Sequence, residues 1–320
     1  MASNLVARTN NALNLNGNTV NGRTADIAIT THGSDLYFAI CAAMGVAGFA
    51  FVGLAFRKQR RDRLFHYITA GVVFVACIAY FTMGSNLGFT PIEVEFKRGN
   101  PVVRGFYREI FYVRYIDWFI TTPLLLLDLL LTAGMPWPSI LWTILIDEIM
   151  IVTGLVGALV VSRYKWAYFT IGCLALFYIV YQLVWEARRH SIRYGADVKK
   201  CFLYCGSLTA FLWILYPIAW GLCEGGNVIS PDSEAIFYGI LDFIAKPCFG
   251  ALLIWGHRNI DPAHIGMAIM DYESDDHIRE KRGTIGGPQN SSVQPPLDGP
   301  ANTNTTNTVP HVGHVGGTQV

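Results

Sequence analysis

The sequence has little charge: Asp, Glu, Lys and Arg make up 15% of its 320 residues, where a soluble domain carries about 25%. The formal net charge is +1, which gives no electrostatic basis for binding nucleic acid. No CxxC pair occurs among the seven cysteines, and all of them lie in or beside apolar runs, so neither a zinc site nor a disulfide scaffold is expected. No repeat of about 20–50 residues occurs, which excludes a solenoid.

What the sequence has instead is long apolar segments. Runs of about 20 apolar residues predict membrane-spanning helices, because a helix of that length crosses the hydrocarbon core. Seven such runs occur, and they predict an all-α fold, a bundle of seven transmembrane helices. The runs cover residues 36–56, 65–87, 111–131, 139–161, 166–185, 202–222 and 236–255.

Basic residues in the short connections predict the orientation, since cytosolic loops are enriched in Lys and Arg. Five lie between the first and second runs and five between the fifth and sixth, which places the N-terminus outside and the C-terminus in the cytosol. The connection between the second and third runs, outside in this scheme, opposes the assignment with four basic residues. The three sets are Arg57, Lys58, Arg60, Arg61 and Arg63; Arg188, Arg189, Arg193, Lys199 and Lys200; and Lys97, Arg98, Arg104 and Arg108.

The polar segments predict three further features. Residues 1–34 are rich in Asn, Thr and Gly and are expected to form a flexible extracellular tail. Residues 93–97 and 102–106 alternate around a turn at 98–101, which predicts a small β-hairpin in the outer connection. Residues 35–257 would form the membrane domain, and residues 258–320 a cytosolic and largely disordered tail.

Charged side chains within the spans are costly and need a reason. Lys246 is the only lysine deep in a predicted span, and Asp242 lies one helical turn before it on the same face. This pair is as compatible with a structural ion pair as with a lysine that forms a Schiff base with an aldehyde. The two residues alone leave both interpretations open.

The third run adds two carboxyl groups on one stripe. Arg114, Asp117 and Thr121 share a face, and Asp128 follows Asp117 by 11 residues, roughly 16 Å along the helix axis. Surrounded by leucines, Asp128 should hold its proton, whereas Asp117 beside Arg114 should be charged. Such a pair indicates the two ends of a proton relay. A helix cap at Asp128 is less expected, because the apolar run continues beyond it.

Aromatic residues in the sixth run recur at helical spacing and form one face with Trp118 of the third run. They are Trp213, Tyr216 and Trp220, together with Pro217. Alone, such a stripe indicates core packing. Together with a buried lysine and a carboxylate counter-ion, it suggests a site for a long apolar aldehyde.

At this point the residues resemble a microbial (type 1) rhodopsin. The segments 114–128 (RYIDWFITTPLLLLD), 213–220 (WILYPIAW) and 241–246 (LDFIAK) are similar to that family's motifs on its third, sixth and seventh helices. Asp147, Met150 and the segment 153–157 (TGLVG) are similar to its fourth helix. The resemblance covers all seven runs, and within the family it is greatest to the fungal opsins, especially those associated with carotenoid genes.

The resemblance implies all-trans retinal bound to Lys246 as a protonated Schiff base. It further implies that Asp117 is the primary counter-ion and proton acceptor, Asp242 the second counter-ion, Arg114 the outer gate and Asp128 the cytosolic proton donor. The implied proton-release pair is Glu224 and Glu234.

The resemblance also implies a retinal pocket. Its implied lining is Tyr80, Trp118, Thr122, Leu125, Asp147, Met150, Gly154, Trp213, Tyr216, Pro217 and Trp220. Phe169 stands where bacteriorhodopsin has a ring-stacking Trp, and Glu148 has no counterpart among the implied roles.

The expected function is light-driven outward proton pumping in the plasma membrane, and not enzymatic catalysis. The expected partners are retinal, protons and the lipid bilayer, with a homo-oligomer left open. The alternative is a slow-cycling photosensor that signals to a partner; Asp128 favours the pump, because an internal carboxyl allows fast reprotonation. A seven-helix receptor for a diffusible ligand would leave Lys246 and Asp128 unexplained.

Overall fold

The structure, a computed structural model, describes residues 10–95 and 105–265. Within these residues seven helices are long and apolar enough to cross a membrane. We number them α1 to α7: Thr31–Ala55, Leu64–Gly84, Tyr112–Thr132, Trp137–Leu159, Lys165–Arg193, Ala196–Gly225 and Pro231–Asn259. The predicted seven-helix bundle is confirmed. Helix α3 is the most enclosed, with 67% of its most apolar stretch buried against 28% for α1, and it carries the two carboxyl groups identified above.

The helices extend beyond the apolar runs at several ends. Helix α1 begins at Thr31 because the Thr30 side chain caps it, accepting a hydrogen bond of 3.2 Å from the His32 amide. Helix α6 begins at Ala196, directly after Gly195, whose φ of +104° suits glycine. The basic residues assigned to a loop between the fifth and sixth runs therefore lie in helical turns. These turns extend α5 and α6 beyond the apolar runs.

Three of the helices contain π turns, at Gln182–Ala187, Gly221–Gly225 and Ile244–Cys248. The third includes Lys246 and Pro247. Proline lacks an amide hydrogen and its ring crowds the preceding helical turn, which a wider turn relieves. Lys246 therefore lies where α7 departs from regular helical geometry.

The predicted β-hairpin between the second and third runs is confirmed, with strands displaced from the predicted ones. Strand Thr90–Glu93 pairs antiparallel with Tyr107–Ile110, and Thr90 is opposite Ile110. The Val94 amide continues the ladder with a bond of 2.9 Å to the Phe106 carbonyl. The predicted turn at 98–101 lies outside the described residues.

The segment before α1 differs from the flexible tail predicted over residues 1–34. Residues 10–30 include a helical turn, Ala12–Leu15, and a ribbon of two short strands, Thr19–Val20 and Arg23–Thr24. Ile27 exchanges backbone hydrogen bonds of 3.0 and 2.9 Å with Tyr107 and Glu109 of the hairpin. The free edge of the hairpin thus supplies partners that composition does not reveal. Residues 1–9 and most of the predicted cytosolic tail lie outside the described residues.

Glu109 of the hairpin is nearly inaccessible, with 1% exposed, and its Oε2 accepts a bond of 2.9 Å from the Ile29 amide. Burial raises the pKa of Glu109 from 4.5 to about 7. The folded protein therefore retains this proton at pH values where the unfolded chain has released it. That contribution to stability is complete below about pH 4.5 and is lost as the pH rises through about 7.

Between pH 5 and pH 9 the free energy of unfolding of the wild type should fall as Glu109 ionises. We expect Glu109→Gln, which keeps the hydrogen-bond acceptor and removes the charge, to reduce this fall by roughly 3 kcal/mol or less. Thermal denaturation of the purified protein, followed by circular dichroism at several pH values, measures this change. The control is Glu93→Gln, on the opposite strand and only half-buried. Parallel pH profiles for wild type and Glu109→Gln would contradict the prediction.

Candidate functional site

Lys246 lies at the centre of the site. Its side chain is 2% exposed, and its Nζ donates to Asp117 Oδ2 and, at 3.2 Å, to Asp242 Oδ2. Asp117 comes from α3, and Asp242 lies one turn before Lys246 on α7. Because a buried charge is costly without partners, two carboxylates within reach compensate the ammonium group. The structure therefore brings together the three residues that the sequence singled out.

The two carboxylates differ in their other partners. Asp242 accepts hydrogen bonds from the hydroxyl groups of Tyr80, at 2.9 Å, and Tyr216, at 2.6 Å. Within the described part of the chain, Asp117 Oδ1 has no hydrogen-bond partner, because the nearby Thr121 hydroxyl donates to the Asp117 backbone carbonyl at 2.8 Å. Asp242 is thus held by three side chains, whereas Asp117 keeps an oxygen available to a proton.

An apolar pocket begins at Lys246 and runs between α3, α4, α5 and α6. Nine of the predicted lining residues lie on its wall: Trp118, Thr122, Leu125, Met150, Gly154, Trp213, Tyr216, Pro217 and Trp220. The wall is aromatic and aliphatic, with a few hydroxyl groups and the Lys246–Asp242 pair as its polar part. Such a pocket fits an extended hydrocarbon with one reactive end at the lysine.

Two predicted lining residues lie behind the wall. Tyr80 donates to Asp242, and so contacts the counter-ion side of the site. Asp147 Oδ2 accepts a bond of 2.7 Å from the Thr122 hydroxyl, which itself lines the pocket. Tyr80 and Asp147 therefore contact residues of the pocket wall and do not line the pocket themselves. Buried polar side chains point towards hydrogen-bond partners rather than into an apolar cavity.

Phe169, noted above in place of a ring-stacking Trp, also lies on the wall. The lining residues that were not predicted are Tyr115, Ile151, Gly172, Cys173, Leu176 and Ala245. Phe169 stacks on Trp220, with ring centroids 4.9 Å apart and planes 23° apart, so a phenyl ring fills the place discussed above for an indole. Tyr115 precedes Trp118 by three residues and Thr122 by seven, a spacing that could have identified it.

The Arg114 guanidinium is directed away from Asp117, contrary to the pairing expected from their spacing. It donates to Glu234 Oε1 at 2.6 Å, Glu224 Oε1 at 3.4 Å and the Tyr37 hydroxyl at 3.0 Å. A long arginine side chain reaches beyond its own helical turn, and two buried carboxylates attract it more strongly than one that Lys246 already neutralises. Arg114, Glu224 and Glu234 therefore form a second cluster, separate from the lysine.

Arg108 belongs to this cluster, although the sequence placed it in an exposed loop. It is 2% exposed, and it donates to Glu234 Oε2 at 2.7 Å, to the Ile229 carbonyl at 2.8 Å and to Asn227 Oδ1. Burial acts to lower the pKa of Arg108, but the charge of Glu234 outweighs it and the pKa is raised. Two guanidinium groups thus share one carboxylate, an arrangement without a local sequence signal.

Glu224 has a different environment from Glu234. The hydroxyl groups of Tyr115 and Tyr238 each donate to its carboxylate at 3.2 Å. Lys165, a second buried lysine that directly precedes the fifth apolar run, donates to the Glu224 backbone carbonyl at 2.9 Å. Glu224 therefore holds mostly hydroxyl partners, whereas Glu234 is held between arginines.

Asp128 lies on the opposite side of Lys246, within α3 rather than at its end. It is fully buried, and Oδ2 lies 3.3 Å from the Thr69 hydroxyl, which also donates to the Phe65 carbonyl at 2.6 Å. Among the described residues, Oδ1 has no hydrogen-bond partner. Leu126 and Leu129, neither of them exposed, flank it on the same helix. The placement agrees with an interior carboxyl and not with a helix cap.

Glu148 lies beside Asp147 on α4, half-buried, with one carboxylate oxygen that is buried and has no hydrogen-bond partner. Its surroundings give it no role in the site.

Comparison with known proteins identifies the family. The family described as bacteriorhodopsin-like protein matches residues 32–260. The opsin-like protein carO of Fusarium fujikuroi is 68% identical over 273 residues, which cover 85% of this chain and 89% of that protein.

Two solved structures share the fold along most of their length. The light-driven proton pump LR (Mac) from Leptosphaeria maculans is 36% identical, with a TM-score of 0.70, and the match covers 73% of this chain and 100% of that one. The light-driven proton pump Coccomyxa subellipsoidea Rhodopsin CsR is 35% identical, with a TM-score of 0.68, and the match covers 72% and 99%. The family match, the relative at 68% identity and the common fold lead to one conclusion: this chain is a fungal type 1 rhodopsin, an integral multi-pass membrane protein of the bacteriorhodopsin-like family, a family that in general binds retinal as its chromophore.

Proposed function

We propose that this rhodopsin is a light-driven outward proton pump that binds all-trans retinal through Lys246 as a protonated Schiff base. The observation that carries the proposal is the arrangement of two carboxyl groups on α3: Asp117 contacts Lys246 Nζ, and Asp128 is buried on the other side of it. The two similar structures named above are both described as light-driven proton pumps, which supports the same function here.

The pocket residues fit retinal, since an apolar wall surrounds Lys246, which among the described residues is the one lysine that lines the cavity. Lys246 would hold retinal there, and retinal would supply light absorption and isomerisation. Asp117 would then receive the proton of the Lys246 nitrogen, because its Oδ2 contacts Nζ and its Oδ1 has no hydrogen-bond partner among the described residues. Asp242, fixed by two tyrosines, remains as the second counter-ion.

Proton exit would use the cluster around Arg114. Arg114 lies one turn from Asp117 on α3 and contacts both glutamates of the release pair. Of these, Glu224 is better placed to take up and release a proton, because its carboxylate contacts tyrosine hydroxyl groups while two guanidinium groups contact Glu234.

Proton entry would use Asp128, which returns a proton to the Lys246 nitrogen from the other side. Release on one side of Lys246 and refilling from the other make transport directional. The alternative, a slow photosensor, lacks a comparable reason for a buried carboxyl group at this position.

We further propose that the N-terminus lies outside the cell and the C-terminus in the cytosol, in the plasma membrane. The basic residues between α1 and α2 support a cytosolic position for that connection. Arg108, which seemed to oppose this orientation, is paired with Glu234 inside the protein and does not act as a free loop charge.

We expect Lys246→Ala to abolish covalent retinal binding and the visible absorption band. The wild type is loaded with retinal and reduced with borohydride. Peptide mass analysis should then place the added mass on Lys246. The matched control is Lys165→Ala, which removes the other buried lysine and should retain the band. A visible band that survives acid denaturation of Lys246→Ala would show that retinal is attached elsewhere.

We expect Asp117→Asn to shift absorption to the red and to abolish pumping, because it removes both the negative partner of Lys246 and the proton acceptor. Light-induced acidification of a cell suspension, with and without a protonophore, measures pumping. Acid should shift the wild-type spectrum to the red as Asp117 is protonated, and Asp147→Asn, a carboxyl group behind the pocket, should retain this response. Normal acidification by Asp117→Asn would exclude the acceptor role.

We expect Asp128→Asn to slow reprotonation of the Lys246 nitrogen on the order of a hundredfold and to make its rate strongly pH-dependent, because the proton must then come from bulk water. Azide, a small diffusible proton carrier, should restore the rate. Flash photolysis measures it, with Glu148→Gln as a carboxyl control on α4. Equal rates and pH profiles in wild type and Asp128→Asn would favour the photosensor over the pump.

A further inference from the structure

A second cavity lies at the end of the bundle where the α1–α2 connection meets the end of α7. Two histidines, His66 and His257, stand on its wall, and both are largely buried, with 5% and 8% exposed. In the orientation proposed above, this cavity faces the cytosol, on the same side of Lys246 as Asp128. The charged residues that line it are Lys58, Asp62, Arg258 and Asp261.

His257 connects the cavity to the helix that carries Asp128. Its Nε2 lies 3.1 Å from the Thr132 hydroxyl, and its Nδ1 lies 2.9 Å from the Leu253 carbonyl. Thr132 lies one turn after Asp128 and donates its hydroxyl hydrogen to the Asp128 backbone carbonyl at 2.6 Å. The Thr132 oxygen is then an acceptor for Nε2–H, and the Leu253 carbonyl is an acceptor for Nδ1–H. The surroundings therefore satisfy an imidazole ring that carries a proton on both nitrogens.

His66 approaches Asp128 from another helix. It precedes Thr69 by three residues on α2, and the Thr69 hydroxyl is the one that contacts Asp128 Oδ2. Its Nδ1 is buried and has no hydrogen-bond partner among the described residues. A polar atom left unpaired inside a protein is costly, so this nitrogen is a candidate to exchange a proton or to accept a hydrogen bond from water that enters the cavity.

The groups that face His257 come from four helices. They include the Thr132 hydroxyl on α3, the imidazole of His66 on α2 and a thiol on α6 whose Sγ lies 3.7 Å from Nδ1. Phe65 packs on the ring, with centroids 4.0 Å apart. The titratable and charged groups that line the cavity or contact the ring are Lys58, Asp62, His66, Cys201, Arg258 and Asp261. Asp128 lies beyond Thr132, and Cys205 lies beyond Cys201.

We infer that His257 is the proton-entry residue that refills Asp128 from the cytosolic cavity, with His66 as a second imidazole on the same route. The inference rests on the proposed pump. After Asp128 has given up its proton, the doubly protonated His257 loses the proton on Nε2, and water entering from the cavity carries it to the Asp128 carboxylate. The carboxylate becomes a carboxylic acid, the imidazolium becomes a neutral imidazole, and a cytosolic proton restores it.

The test separates two steps in full-length protein reconstituted in lipid vesicles. Flash photolysis follows proton transfer from Asp128 to the Lys246 nitrogen, and a pH-indicator dye with time-resolved infrared spectroscopy follows the refilling of Asp128. In His257→Gln the first step should be unchanged, whereas dye uptake and refilling should slow on the order of tenfold or more and depend more steeply on pH. The matched control is His264→Gln, which removes an exposed histidine seven residues after His257 and should behave as wild type.

Two further variants distinguish proton transfer from a structural role. In His257→Ala, added imidazole should restore the uptake rate, because it can occupy the space beside Phe65. In Thr132→Val the histidine remains, but Nε2 loses its hydrogen-bond acceptor. Proton uptake should therefore slow, as in His257→Gln. A visible band at the wild-type wavelength reports that each variant is folded.

The outcomes separate this inference from the pump itself. Wild-type uptake in both His257→Gln and Thr132→Val, or slow uptake that imidazole does not restore, would overturn the role of His257 while leaving the pump intact. A wild type that moves no protons in light would instead overturn the proposed function.

Discussion

The placement of one lysine in the hydrocarbon interior is the constraint on which the rest of the structure depends. An ammonium group at this depth is tolerated only with opposite charge in contact, and Asp117 and Asp242 supply it from two helices. These carboxylates in turn need partners, which Tyr80 and Tyr216 supply to Asp242 from α2 and α6. Four helices are therefore tied to one nitrogen atom.

The same constraint divides the interior into regions of different chemistry. One side of the lysine is polar, with two arginines and two glutamates joined directly. The other side is mostly aliphatic around Asp128, which contacts the Thr69 hydroxyl, and further polar groups lie at the far end, near His257. Groups that can exchange a proton therefore lie at three separate positions along the bundle: the arginine–glutamate cluster, the site of Lys246, and the region of Asp128 and His257. An asymmetry of this kind is what directional transport requires.

Hydropathy and local spacing predicted the seven helices and the Lys246–Asp242 pair, because both depend on residues close together in the chain. The contact of Asp117 with Lys246, 129 residues away, was expected only from the resemblance to microbial rhodopsins. The Lys246–Asp242 pair is a matter of one helical turn, and burial of Asp128 follows from the leucines around it. The pairing of Arg114 with Asp117 that spacing predicted was wrong, since the Arg114 guanidinium contacts Glu224 and Glu234 instead. Arg108 and Lys165 were missed because their partners lie more than fifty residues away, and nothing local distinguishes a buried basic residue from a loop charge. The ordered segment before α1 was missed for the same reason, as its hydrogen-bond partners belong to the hairpin.

The sharing of Glu234 by Arg108 and Arg114 has a consequence for the response to dissolved salt. Both guanidinium groups and the carboxylate are at most 3% exposed, so counter-ions cannot approach them closely. Mobile ions screen charges at a surface far more than charges enclosed by protein. The electrostatic field at this end of the bundle is therefore set by the protein itself and stays nearly constant between dilute and saline surroundings.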